Sequence, residues 1–140
     1  MQEAAATSNR SDIGARDDIV RLVDAFYDRV RADSLLGPIF DEVARVDWAA
    51  HLPKMYAFWD SVLFASAGFK GNPLAVHRAL ARRTPLTNVE FSRWVTLFHE
   101  TVDSLFAGPM AEEAKTRAVR VAMVMQHHIA SDGMAAARSG

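Results

Sequence analysis

At 140 residues the chain has the length of a single domain, and half of its residues are hydrophobic, enough for a core without covalent staples. Sixteen basic against 17 acidic residues leave a net charge of −1, so there is no electrostatic reason to expect nucleic acid or an anionic membrane as partner. Cysteine is absent, which excludes a disulfide framework, a thiolate nucleophile and a cysteine-held metal cluster, and agrees with a reducing cytoplasm.

Residues 1–17 open with MQEAAATSNRSD, small and polar, without the apolar run that a secretory signal needs. They read as a flexible tail. From Asp18 the pattern turns helical: Ile19, Leu22, Val23, Phe26, Tyr27 and Val30 recur at spacings of three and four, with charged residues on the opposite side. Gly37-Pro38 breaks that helix and leaves Phe40 in a loop or short turn. A second helix is expected over Trp48–Phe64, capped by Asp47, with Leu52, Met55, Tyr56, Trp59, Val62 and Leu63 on its apolar face. Pro53 lacks an amide hydrogen, so the first turn should be irregular and the regular helix should run on from there. Ala67-Gly68 and Lys70-Gly71 then read as a loop.

Asn72-Pro73 pairs a capping residue with proline at the first helical position, and Arg82 to Pro85 stops the short helix it opens. Thr87 with Glu90 three residues on has the spacing of a capping box, and Phe91, Trp94, Val95, Phe98, Val102 and Leu105 share the face behind it. Gly108-Pro109 separates this from a last helix over about Met110 to Ser131, ended by Gly133, with Met134 to Gly140 frayed. Nothing alternates with a period of two and nothing repeats. The reading is an all-α domain over 18–132 between the tail at 1–17 and a frayed end at 133–140.

Five histidines are the natural place to look for chemistry. They lack the H-E-x-x-H spacing of a zinc protease and the clustering of a structural zinc site. His127 and His128 are adjacent on a helix and diverge by about 100°, so they cannot readily share a metal. His99 reads as a partly exposed helix-surface residue. His77 lies one turn into the short helix, among Leu74, Val76 and Leu80. By itself such a histidine is by default a hydrogen-bonded core residue, but a short helix is also a suitable mount for a porphyrin-iron ligand. Tyr27 sits inside an apolar stripe, where an unpaired hydroxyl costs about 1–3 kcal/mol. With His51 and Trp94 it makes a phenol, an imidazole and an indole, each able to stabilise a polarised small ligand. Each also has a plain structural role open to it, as core tyrosine, surface or capping histidine, and packing tryptophan.

Four segments, FYDRVRADSLLGPIF (26–40), HLPKMYAFWDSVLF (51–64), FKGNPLAVHRAL (69–80) and FSRWVTLFHETVDSLFAGPMAEEAKTRA (91–118), together resemble the truncated haemoglobins, and group III most. The resemblance implies a globin-like two-over-two helical sandwich with a short proximal helix, carrying haem b. It implies His77 as the iron ligand, Tyr27, His51 and Trp94 as distal ligand-binding groups, and Phe40, Met55, Lys54 and Trp94 against the haem. Lys54, Arg78, Arg82 and Arg83 become candidates for the propionates or, equally, ordinary solvated charge. The function implied is binding of dioxygen and other small ligands such as NO, CO and sulfide. The alternative is a redox enzyme using the same haem for NO dioxygenation or peroxidase-like turnover, with an unidentified electron donor. Such a protein would be cytoplasmic, a monomer or weak dimer, with no nucleic-acid or membrane partner. A haem-free helical interaction module, with His77 merely buried, is the remaining reading.

Overall fold

A computed structural model describes residues 10–66, 69 and 71–139, with 134–139 by backbone alone. The described residues form five α-helices and one π-helical turn, without a strand. They are α1 (Arg16–Ala32), the π turn (Ile39–Val43), α2 (Trp48–Phe64), α3 (Pro73–Ala81), α4 (Asn88–Leu105) and α5 (Pro109–Ser139). Helix α1 packs on α2 and α4, α4 packs on α5, and the short α3 rests on α5. This is the two-over-two helical sandwich that the periodicity and the resemblance together suggested, with α3 set apart from the two pairs.

The core follows the apolar stripes. Ile19, Leu22, Phe26 and Val30 of α1 are fully buried against Phe98 and Val102 of α4 and Ala114 and Ala118 of α5. Small residues on α5 let α4 approach closely, and each large side chain taken from water contributes about 1.5–3 kcal/mol. Trp59 stacks on Phe98 at 4.7 Å and 19°, a rigid floor beneath the region between α2 and α4.

Local signals set the element ends. Asp33 closes α1, its carboxylate accepting from Leu35 and Leu36 N–H and from the Arg93 guanidinium of α4. Gly37 is required in the turn that follows, because a Cβ there would meet the Arg31 carbonyl oxygen at 2.6 Å. The Asp47 side chain caps α2 by accepting from Ala50 N–H, Asn72 caps α3 by accepting from Ala75 N–H, and Thr87 with Glu90 forms the capping box of α4.

Three expectations meet a different outcome. Helix α2 runs without interruption from Trp48, with Pro53 inside it, since a proline this near the start displaces little of the hydrogen-bond ladder. Helix α5 continues past Gly133 to Ser139: nothing crowds Gly133, and the alanine-rich stretch behind it favours helix, so that glycine does not act as a stop. The packed chain also begins before residue 18. Ile13 is 2% exposed in the core, and Asp12 caps α5 by accepting from Met110 N–H at 2.9 Å and Ala111 N–H at 2.8 Å. Phe40 lies in the π turn, the short turn expected after Gly37-Pro38. The part of the expected tail covering 1–9, the loop residues 67, 68 and 70, and the side chains of the expected frayed end lie outside the described residues.

Candidate functional site

One cavity of about 320 Å³ opens between α1, the π turn, α2, α3, α4 and α5. Tyr27, Phe40, His51, Lys54, Met55, His77 and Trp94 all border it, from five separate elements. Apolar side chains make up most of the rest of its wall, among them Ile39, Phe58, Leu80, Leu86, Phe91 and Met125, with Asn72 and Glu90 as polar members.

His77 reaches the cavity from the second turn of α3. Its Nδ1 lies 2.6 Å from the Pro73 carbonyl oxygen. A carbonyl can only accept, so Nδ1 carries the proton and Nε2 keeps its lone pair. Burial lowers the pKa of His77 below the ordinary 6.5, and the bond to Pro73 opposes that only in part, so the ring is neutral near pH 7. A neutral imidazole with one nitrogen tied to a backbone carbonyl is a metal ligand fixed in tautomer and orientation. Pro73 thus starts the helix and also aims its histidine, one turn later.

Tyr27, 6% exposed, packs edge-on against Phe26 and Phe40 at 4.9 and 6.0 Å. Its hydroxyl has no hydrogen-bond partner among the described residues, and burial pushes its pKa well above the usual value, so it remains a protonated donor. The His51 ring stands 5.2 Å from that of Tyr27 at 81°. Its Nε2 is buried without a partner. Burial first, then repulsion from His77 when that ring is protonated and from Lys54, lowers its pKa, and it too is neutral near pH 7. Trp94 closes the far side, stacked on Phe98 at 5.8 Å.

The donor set fits a porphyrin iron better than a bare ion. Among the described residues no group of three or more His, Cys, Asp or Glu is placed to hold a metal, so an ion at His77 needs a ring to supply its other ligands. The wall is mostly apolar, as such a ring requires, and a bound ligand would satisfy the buried His51 Nε2 and meet the Tyr27 hydroxyl, which makes no hydrogen bond among the described residues.

Of the basic residues expected beside the pocket, only Lys54 borders it. Arg78 turns to α5, with Nε 2.8 Å from Asp132 and Nη2 3.2 Å from His128, and Arg83 donates to the Val43 carbonyl. His99 bonds the Lys115 carbonyl. The residue reading missed the wall contributed by Phe91, Leu86 and Met125. Phe91 and Trp94 share a face at i, i+3, which marked both as apolar without showing what they face.

A helical sandwich wrapped round one apolar slot, with a histidine on a short separate helix, is the architecture of a globin. The model of the bacterial-like globin family matches residues 11–131. The chain is 30% identical over 115 residues to the group 3 truncated hemoglobin ctb of Campylobacter jejuni, covering 80% of this chain and 88% of that one. The crystal structure of the group III truncated hemoglobin from Campylobacter jejuni superposes with a TM-score of 0.75 at 28% identity, over 86% of this chain and 94% of that one. The chain belongs to the truncated haemoglobin family and is most like its group III. Its family binds small ligands at haem. Among the described residues no helix is long and apolar enough to cross a membrane.

Proposed function

We propose that the cavity would hold haem b, with His77 as the residue that would hold its iron and Tyr27, His51 and Trp94 around the ligand chamber, and that the protein binds dioxygen and related small ligands there. Bound in this slot, the haem supplies a ferrous iron with one face open to a diatomic ligand. The observation that carries the reading is His77, one nitrogen committed to the Pro73 carbonyl and the other free, across a cavity from two unpaired polar groups.

The chain's own part is to hold and to discriminate. Phe40, Met55, Phe58 and Phe91 exclude water and grip a flat apolar ring. Lys54 is the cation placed to pair with a carboxylate at the rim. The Tyr27 hydroxyl and the Trp94 indole N–H donate to a ligand that gains negative charge, which favours dioxygen over CO and slows its release. His51 adds an imidazole that would donate to a bound ligand, swing aside to admit one, or bind the iron when no ligand is present. NO and sulfide fit the same chamber. The Tyr27–His51 pair also suits polarising the O–O bond of a substrate peroxide, or NO dioxygenation with an external electron donor; steady-state turnover with a reductant separates that reading from plain binding.

Haemin titrated into the cofactor-free protein tests the proposal. A Soret band saturating at one equivalent is expected, with His77→Ala binding far more weakly. No Soret band with the full chain would leave a haem-free helical module.

A further inference from the structure

Trp48 opens α2 one turn ahead of His51, yet it is not among the residues bordering the cavity. Its inner face meets three that are. The indole lies 5.4 Å from Tyr27 at 57°, 5.5 Å from His51 at 83° and 5.8 Å from Phe40, near-parallel at 24°. Its outer edge is pinned: Nε1–H donates to Asp41 Oδ1 at 3.0 Å, and the Arg31 guanidinium lies 4.8 Å above the ring. Arg31 Nε is 3.6 Å from the same Asp41 oxygen. One side chain therefore joins α1, the π turn and α2 at the corner where the two distal polar groups sit.

What makes this consequential is a lack elsewhere. Among the described residues His51 Nε2 is buried without a partner, and the Tyr27 hydroxyl makes no hydrogen bond. No hydrogen bond through either of those polar ends fixes its ring, so packing has to do it, and the indole is the surface that both rings share. Arg31–Asp41 on its own is an exposed ion pair of small worth. Its weight comes from fixing the tryptophan: the carboxylate holds the indole N–H while the guanidinium covers the ring.

We infer that Trp48, latched by Asp41 and Arg31, is a positioning residue that keeps His51 and Tyr27 turned towards the cavity and closes the solvent path at that corner. Its effect on ligand exchange rests on the haem reading above; its effect on His51 does not. With the latch in place the His51 ring is confined between Tyr27 and Trp48. With it removed the imidazole gains room to rotate outward, and water gains a way in.

Two readouts separate the claims. In the cofactor-free full-length protein, diethyl pyrocarbonate labelling is followed at each histidine by mass spectrometry, with the exposed His127 as internal reference. Trp48→Leu and the surface change Asp41→Ala should each speed labelling of His51 by about tenfold, the upper size of effect one lost aromatic pair carries, and leave His127 unchanged. Trp48→Phe, which keeps a ring but lacks the N–H, should fall between. In haemin-loaded protein the same variants should speed CO rebinding after photolysis and shift the C–O stretch as the polar groups turn away. An unchanged His51 labelling rate in both Asp41→Ala and Trp48→Leu overturns the latch even if haem binds normally. Absence of a Soret band overturns the haem reading while the labelling still decides the latch.

Discussion

Single atoms decide most of the chemistry. Tyr27 borders the cavity, and its hydroxyl makes no hydrogen bond among the described residues, which leaves it free to donate to a ligand. Tyr27→Phe keeps the ring contacts with Phe26, Phe40 and Trp48 and removes the donor. Dioxygen release from haem-loaded Tyr27→Phe should be roughly tenfold faster in stopped-flow mixing, the worth of one hydrogen bond of about 1–1.5 kcal/mol. Thermal stability of the cofactor-free variant should be equal or slightly higher. His77, Tyr27 and Trp94 drew notice as polar types on apolar faces and His51 through the resemblance, and all four border one cavity. Trp48 drew none, since an aromatic at the start of an aromatic-rich helix looks like packing until its neighbours are known. Arg78 was misleading in the opposite sense. It neighbours His77 in sequence, but helical geometry turns adjacent side chains about 100° apart, and it faces α5 instead.

Elements were read from their punctuation. The Trp48–Phe64 limits of α2 and the cap positions of α3 and α4 follow from Asp47, Asn72-Pro73 and Thr87 with Glu90, because capping is local chemistry. Where an end depends on a distant partner, sequence is mute. The start of α5 is capped by Asp12, about a hundred residues earlier, and no local pattern announces it. Burial alone would raise the Asp12 pKa, but the Met110, Ala111 and Ile13 N–H groups hold its carboxyl below the usual range. Gly108 belongs to the same contact, since a Cβ there would lie 2.5 Å from the Asp12 carboxyl carbon at a φ of +142°. Asp12→Ala should therefore lower stability to urea by about 1–2 kcal/mol, as for other lost helix caps. If that midpoint does not move, the segment around residue 12 contributes nothing to the domain. The end of α5 was missed for a related reason: glycine permits a stop without compelling one, and alanines follow.

For the molecule as a whole, the five helices enclose two neutral histidines that water would protonate more easily. His51 and His77 both have folded pKa values lowered from 6.5, chiefly by burial. The unfolded chain then binds protons that the folded one refuses, so stability is complete above about pH 6.5 and is lost as the pH falls towards the lowered folded values. The melting temperature of the cofactor-free protein should drop between pH 7 and 5, and a His51→Gln variant should lose less across that interval. Equal slopes for the two proteins would remove His51 from this explanation. The all-helical character was visible in periodicity, because the long helices carry apolar stripes, whereas the sandwich arrangement came from the resemblance. The cavity was not visible in periodicity, since six elements converge on it and only their packing shows where.

The central claim is that the imidazole at position 77 is the bond between this fold and a haem iron. Resonance Raman of the ferrous, ligand-free, haem-loaded protein reads that bond as an iron–histidine stretch. We predict the band in the full chain, its shift on labelling histidine with heavy nitrogen, its loss in His77→Gly, and its return as an iron–imidazole band when free imidazole is added. A band that persists unchanged in His77→Gly would contradict the claim outright.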